Sequence, residues 1–206
     1  NELEIVSCHL GNGSSLCAVD HGRSMDTTMG FTPVEGLIMG TRCGDVDAGV
    51  ITFLERTSGL TVPQIDELIN KKSGLLGLSG ISSDMREILT AAEAGESRAL
   101  IALKTYCYRI RKYIGAYVAA MGGLDAVVFT GGVGQGSDMV RALALQGLDC
   151  MGIRLDEQLN RDARGFDEVC RISTNDSKVT VLVVPTDEER MMAREALRAL
   201  SRSYIT

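Results

Sequence analysis

The residues best suited to chemistry in this chain are glycines, hydroxyls and arginine. The stretch Cys8-His9-Leu10-Gly11-Asn12-Gly13-Ser14-Ser15 lies between an apolar run (Leu3, Ile5, Val6) and an alternating one (Leu16, Ala18). Two strands joined by a tight turn have that pattern. Gly11 and Gly13 around Asn12 suit a hairpin turn with φ > 0, and the backbone N–H groups of such a turn can also hold a phosphate. A second glycine-rich stretch, Thr130-Gly131-Gly132-Val133-Gly134-Gln135-Gly136-Ser137, separates an apolar run from a helical segment. Strand, glycine turn and helix in that order can place a nucleotide at a helix N-terminus. Its glycine spacing is not the dinucleotide fingerprint, and no Lys-Ser/Thr closes it as a P-loop would. Close βα packing explains it equally well.

Arg42, set among Gly40, Cys43 and Gly44, can present a guanidinium to phosphate or carboxylate. The alternative is a local ion pair with Asp45 or Asp47. Asp84 opens a helical segment, as a first-turn acid or as a ligand to nucleotide hydroxyls. In Thr186-Asp187-Glu188-Glu189, Thr186 and Glu189 have the spacing of a capping box. Asp187 and Glu188 are then left to complement the helix dipole or to hold Mg²⁺ through water. His9, within an apolar strand, reads by itself as a hydrogen-bonded core histidine.

The elements that must position these groups follow from periodicity. Residues 3–10 and 14–21 form a hairpin, 24–28 a third strand, and 29–47 a Gly/Thr-rich loop. Short helices follow around Val50–Leu54 and after Pro63, which occupies a first helical turn. Residues 73–83 read as a packed loop, and 84–94 as a helix stopped by Gly95. Leu100, Leu103, Cys107, Ile110, Ile114, Tyr117 and Met121 step by three and four, the face of one long helix. Strands at 125–129 and 179–184 and a final helix with Met192, Ala193, Ala196, Leu197 and Leu200 on one face complete an α/β domain with a mixed sheet.

Composition narrows the function classes. The 206 residues carry a net charge of −6, against the basic face that nucleic acid requires. No apolar run approaches the ~20 residues of a membrane span. The acidic start Asn1-Glu2-Leu3-Glu4 has no signal-peptide core; it reads as an internal start within a longer protein. Six cysteines without C-x-x-C spacing suit reduced thiols in a cytoplasmic protein better than a zinc site.

Together, CHLGNGSS (8–15), DTTMGFTPVEGLIMGTRCGDVD (26–47), SGLLGLSG (73–80), SSDMR (82–86), DAVVFTGGVG (125–134) and PTDEE (185–189) resemble the C-terminal half of the acetate kinase family, which includes the propionate kinases. The resemblance covers essentially the whole chain. It implies a ribonuclease H-like lobe of the actin, hexokinase and sugar-kinase superfamily, with residues 1–206 as the C-terminal nucleotide-binding domain. It also implies reversible phosphoryl transfer between ATP and acetate, giving acetyl phosphate. His9, Leu10, Gly11, Asn12 and Gly13 would hold the β- and γ-phosphates. Asp84, Met85 and Arg86, with Gly131, Gly132, Val133, Gly134, Gln135 and Gly136, would line the adenosine pocket. Arg42 would stabilise the phosphoryl group in flight, and Glu188 would help to hold Mg²⁺ (or Mn²⁺). The family's first half would supply a metal-site Asn, a second Arg, a catalytic Asp, a further His and the acyl pocket. A homodimer in the cytoplasm is the implied state. Gln135-Gly136 and Asp187 depart from the family's common Glu-Asn and Asn, and Ala48 from a usual Pro. Alternatives are a nucleotide-binding module without catalysis of its own, or a propionate or other short-chain acyl kinase.

Overall fold

The computed structural model describes residues 2–163 and 168–203, so the outermost residues of the 1–206 unit lie outside it. Strand β1 (Glu4–Leu10) turns into β2 (Ser14–Asp20), antiparallel, with Leu10 opposite Ser14. Alternation sends Val6, Cys8 and Leu10 of β1 and Leu16 and Ala18 of β2 into the core. Strand β3 (Arg23–Thr27) returns along β2 through a turn in which His21 (φ 50°) and Gly22 (φ 79°) are both left-handed, the backbone a two-residue hairpin favours.

The Gly11–Gly13 turn differs from its expectation. None of its residues has a positive φ. Gly11 N donates to Gly13 O at 3.0 Å, and a Cβ on Gly11 would lie 3.3 Å from that same oxygen. Gly11 therefore provides clearance, not handedness.

Helices α1 (Ala48–Ser58), capped by Asp47, and α2 (Val62–Lys71) follow the long loop. Gln64 reaches back to accept from Thr61 N at 2.8 Å, fixing the start of α2. Residues 73–83, expected as a packed loop, instead contain α3 (Gly74–Ser79), closed by left-handed Gly80. Leu75 buries itself against the core while glycines mark both ends. Helix α4 (Met85–Glu93) is capped by Asp84, whose carboxylate accepts from Arg86 N at 2.8 Å. Helix α5 (Ser97–Met121) spans the domain against β1 and β2, and α3 and α4 pack on it. Its buried stripe includes Leu103, Cys107, Ile110, Ile114 and Tyr117. Leu100, expected on that stripe, is instead exposed; Ala99, Ala102 and Tyr106 take its place.

Strand β4 (Ala126–Thr130) lies parallel to β1. Residues 131–136, expected as a turn, form the short helix α6 (Gly131–Gly136), and α7 (Asp138–Leu145) follows it. Gly131 opens α6 with φ 77°, and a Cβ there would stand 2.6 Å from Leu10 O. Only glycine lets α6 start against the end of β1. The stretch 146–178, without an element predicted from sequence, supplies a 3-10 turn (Leu148–Met151), α8 (Glu157–Asp162) and the edge strand β5 (Cys170–Arg171). Strand β6 (Thr180–Val183) pairs parallel to β4, giving the order β3-β2-β1-β4-β6-β5. This is the mixed sheet flanked by helices that the sequence implies.

Helix α9 (Glu188–Ser203) starts differently from its expectation. Asp187 accepts from Arg190 N through its side chain at 3.1 Å and from Met191 N through its carbonyl at 3.2 Å. Asp187 is thus the N-cap, and the Thr186/Glu189 capping box does not form. The expected apolar face of α9 is exposed along its length. Among the described residues no helix is long and apolar enough to cross a membrane.

Candidate functional site

Two hollows meet at the β1–β2 turn. The larger, about 680 Å³, is lined by Gly11 and Asn12 from the turn and by Leu75 of α3. Ser83, Asp84, Met85, Arg86 and Leu89 contribute from the start of α4. Tyr106 of α5 and Gly132, Val133, Gly136 and Ser137 at α6 complete the lining. The smaller, about 300 Å³, shares Gly11 and Asn12 and adds His9, Gly13, Ser14, Ser15, Met29, Pro33, Met39 and Arg42. The turn is therefore a ridge between a volume suited to a drug-sized ligand and a hollow that carries one cation.

At the first hollow, Asp84 is both a helix cap and an acceptor. The Arg86 guanidinium donates to it from Nε at 3.1 Å and from Nη2 at 2.6 Å. Those bonds hold the Asp84 carboxyl down at about 2. Asp84 is thus an ionised acceptor with a fixed rotamer at the pocket rim. Expected as a first-turn acid or a ligand to nucleotide hydroxyls, Asp84 is the N-cap one position before the first turn, and it also lines the larger hollow.

At the second hollow, Arg42 forms no ion pair among the described residues. Its Nη1 donates to Pro33 O at 3.1 Å and to Met39 Sδ at 3.3 Å. The acids that could have paired with it are engaged elsewhere. Asp45 accepts from Arg109, from Tyr113 at 2.7 Å and from Gly36 N at 2.8 Å, while Asp47 caps α1 through Gly49 N at 2.7 Å. A cation held by neutral acceptors keeps its charge for something else.

Gly40 fixes the turn from the loop side. Its N–H donates to Asn12 O at 3.0 Å. A Cβ there would come within 2.2 Å of Asn12 Oδ1.

His9 is half-exposed and faces Glu188, with Nε2 and Oε1 3.9 Å apart. It is not the enclosed core histidine that its strand alone suggests. Glu188, at the first turn of α9, is 70% exposed. Among the described residues no group of three or more His, Cys, Asp or Glu could hold a metal ion. One exposed carboxylate 3.9 Å from His9 could nevertheless serve Mg²⁺, which commonly takes one or two carboxylates and fills the rest of its shell with water and phosphate oxygens. Asp187 is occupied by the helix cap, so Glu188 is the available donor.

The chain as a whole also resembles known proteins. Residues 1–194 match the model of the acetokinase family. The chain belongs to the acetokinase family. It is 53% identical over 204 residues to an acetate kinase of Dictyoglomus turgidum, covering 99% of this chain and 50% of that relative. Among solved structures, it is similar to the acetate kinase of Porphyromonas gingivalis, with TM-score 0.92, 51% identity and coverage of 97% of this chain and 49% of that one. A propionate kinase from Francisella tularensis subsp. tularensis matches with TM-score 0.87, 37% identity and coverage of 95% and 49%. The chain thus spans about half the length of the family relatives it matches.

The fold separates the residues expected to touch nucleotide into two groups. Gly11, Asn12, Asp84, Met85, Arg86, Gly132, Val133 and Gly136 line the larger hollow; His9, Gly13 and Arg42 line the smaller. Leu10, Gly131, Gly134 and Gln135 line neither and are buried. The Leu10 side chain points into the core because alternation along β1 places it there, and α6 turns Gln135 inward. These four stand behind the two linings.

Tyr106, Leu75, Leu89 and Ser83 were not expected from the sequence. Tyr106 sits beside the apolar stripe of α5 and carries no local signal of a site. Arg141, on α7 between Val140 and Ala142, has a visible signal, an arginine within an apolar helical run. It is fully buried behind α6.

Proposed function

We propose that the protein carrying this chain transfers a phosphoryl group reversibly between ATP and acetate, with residues 1–206 as its C-terminal, nucleotide-binding domain. One observation carries the reading: Gly11 and Asn12 line both hollows. A nucleotide whose adenosine lies between α4 and α6 would therefore direct its terminal phosphates over the turn and toward Arg42.

Asp84 would accept from ribose hydroxyls, and Met85, Gly132 and Val133 would flank the base. Amides of the Gly11–Gly13 turn would donate to phosphate oxygens. A carboxylate oxygen of acetate would bond to the γ-phosphorus as the bond to the bridging oxygen of ADP breaks. Acetate already carries its charge, so no base need remove a proton. Arg42 would meet the negative charge that spreads over the phosphoryl oxygens in transit. Glu188 would be the protein carboxylate for Mg²⁺ or Mn²⁺; when bound, that ion would neutralise phosphate charge.

Family membership supports the reaction class, and the named propionate kinase relative makes propionate the alternative substrate. The acyl pocket and a second wall would come from the N-terminal lobe that relatives of twice this length contain. Exposed apolar side chains, among them Phe31, Phe53, Met192 and Leu197, support contact with that lobe and a homodimer. All six cysteines are free thiols, which supports a reducing, cytoplasmic setting. No nucleic-acid partner is proposed.

The test is formation of acetyl phosphate from Mg·ATP and acetate by the full-length protein, with propionate run in parallel. The 206-residue chain alone should bind ADP and form none. A full-length protein that phosphorylates neither acid would overturn the proposal.

A further inference from the structure

We infer that Tyr106 is a positioning residue for the phosphate turn, acting through the hydroxyl of Ser14. The inference rests on the nucleotide reading above and adds what holds the turn in shape.

Tyr106 and Ser14 are both buried, and their oxygens lie 3.0 Å apart. Ser14 Oγ donates to Gly11 O at 3.1 Å and accepts from Gly11 N at 3.3 Å. A serine hydroxyl has one proton and two lone pairs. With its proton on Gly11 O and one lone pair taken by Gly11 N–H, the remaining lone pair is the acceptor for Tyr106 O–H. Every hydrogen-bonding capacity of Ser14 is then used once. Burial pushes the Tyr106 phenol far above its ordinary range, so it keeps the proton that this arrangement donates.

The brace adds to the β1–β2 pairing and to the bond from Gly11 N to Gly13 O at 3.0 Å. No residue from Gly11 to Gly13 adopts a left-handed backbone, so hydrogen bonds rather than backbone handedness set the turn. On one side Gly40 N holds Asn12 O; on the other the Tyr106–Ser14 pair holds both polar groups of Gly11. Tyr106 belongs to the central helix α5, which ties the turn to the helix packed against β1 and β2. Tyr106 also lines the larger hollow, and a phenylalanine there separates what the ring contributes from what the hydroxyl does at Ser14. The hydroxyl, through Ser14, sets the phosphate turn.

That separation gives the test. In the full-length protein, Tyr106→Phe keeps the ring and removes the donor. ADP affinity should fall about five- to tenfold, the effect of one buried hydrogen bond, while adenosine affinity stays at the wild-type value. Ser14→Ala should reproduce the ADP effect. Tyr106→Phe added to Ser14→Ala should cause no further loss, because the hydroxyl acts only through Ser14. Calorimetric titration of the four proteins with ADP and with adenosine reads all of this. Additive losses, an unchanged ADP affinity in Tyr106→Phe, or equal losses for ADP and adenosine would each overturn the inference. A wild-type protein that binds neither ligand overturns the nucleotide reading itself and the inference with it.

Discussion

Arg42→Ala is the sharpest perturbation the site offers, because it removes charge without dismantling structure. Arg42 gives up two bonds from Nη1, to Pro33 O at 3.1 Å and Met39 Sδ at 3.3 Å, and leaves no acid stranded. The domain should therefore fold as before. The magnitude follows from the charge. A guanidinium about 4 Å from a developing phosphoryl charge, at an effective dielectric near 20, is worth about 4 kcal/mol per unit charge. At 1.36 kcal/mol per decade, kcat should fall on the order of 10³. ADP affinity should change far less, since ground-state phosphates are also held by the turn amides and the charge matters most in the transition state. Steady-state acetyl phosphate formation and ADP titration in the full-length protein give both numbers. Arg42→Lys should recover part of the loss through charge but not the planar fork. An unchanged kcat, or an ADP affinity that falls in step with kcat, would refute the assignment of Arg42 to the moving phosphoryl group.

Three further outcomes are expected. Arg141 donates from Nε, Nη1 and Nη2 to Asn160 Oδ1 and O, Gly134 O, Gln135 O and Ala163 O, at 2.7–3.1 Å. Arg141→Ala should cost on the order of 3 kcal/mol, a fall of roughly 6–12 °C in thermal midpoint for a domain of this size; a midpoint within a degree of wild type would show that the clamp is unimportant. Asp84, held at about 2 by Arg86, should titrate there by carboxyl NMR and return toward about 3.9 in Arg86→Ala. Because its folded value is depressed, any stability it contributes is present above about pH 4 and is lost as the pH falls toward 2. A wild-type midpoint near 3.9 would contradict the ion pair. Glu188→Ala should erase the gain in ADP affinity that Mg²⁺ brings while leaving metal-free ADP binding unchanged; retention of the full Mg²⁺ effect would place the metal elsewhere.

The scaffold was legible where periodicity is strong. The β1–β2 hairpin, α5 and the order of β4 and β6 follow from alternation and from steps of three and four. The losses have physical causes. Residues 74–79 are helical although Gly and Ser dominate the segment, because burying Leu75 outweighs weak local propensity. Leu100 is exposed because the buried face at that end of α5 runs through Ala99, Ala102 and Leu103. At α9, Thr186 and Asp187 are both good caps, and the spacing of Glu189 favoured the wrong one. The departure from Asn to Asp at 187 has a simple consequence here, since both residues cap helices well. The site was legible as a set of segments but not as two hollows. Which residues line a hollow and which stand behind it depends on long-range packing of α6 on β1, and that left Leu10 and Gln135 buried.

Arginine partnership sorts these cations more reliably than sequence neighbourhood does. Arg109 lies 64 positions from Asp45 yet pairs with it, and Tyr113 adds a second donor to the same carboxylate. Arg86 is committed to Asp84, Arg98 to the carbonyls of Gly77 and Leu78, and Arg141 to the backing of α6. Arg42 stands beside two acids in sequence, and both are taken by other donors. The pairing of Arg109 with Asp45 thus does more than anchor the 29–47 loop to α5. By occupying the acid closest to Arg42 in sequence it leaves Arg42 with neutral acceptors at the hollow beside the Gly11–Gly13 turn. An arginine that is well placed but electrostatically satisfied would be scaffold; this one keeps its charge because its neighbours are satisfied first.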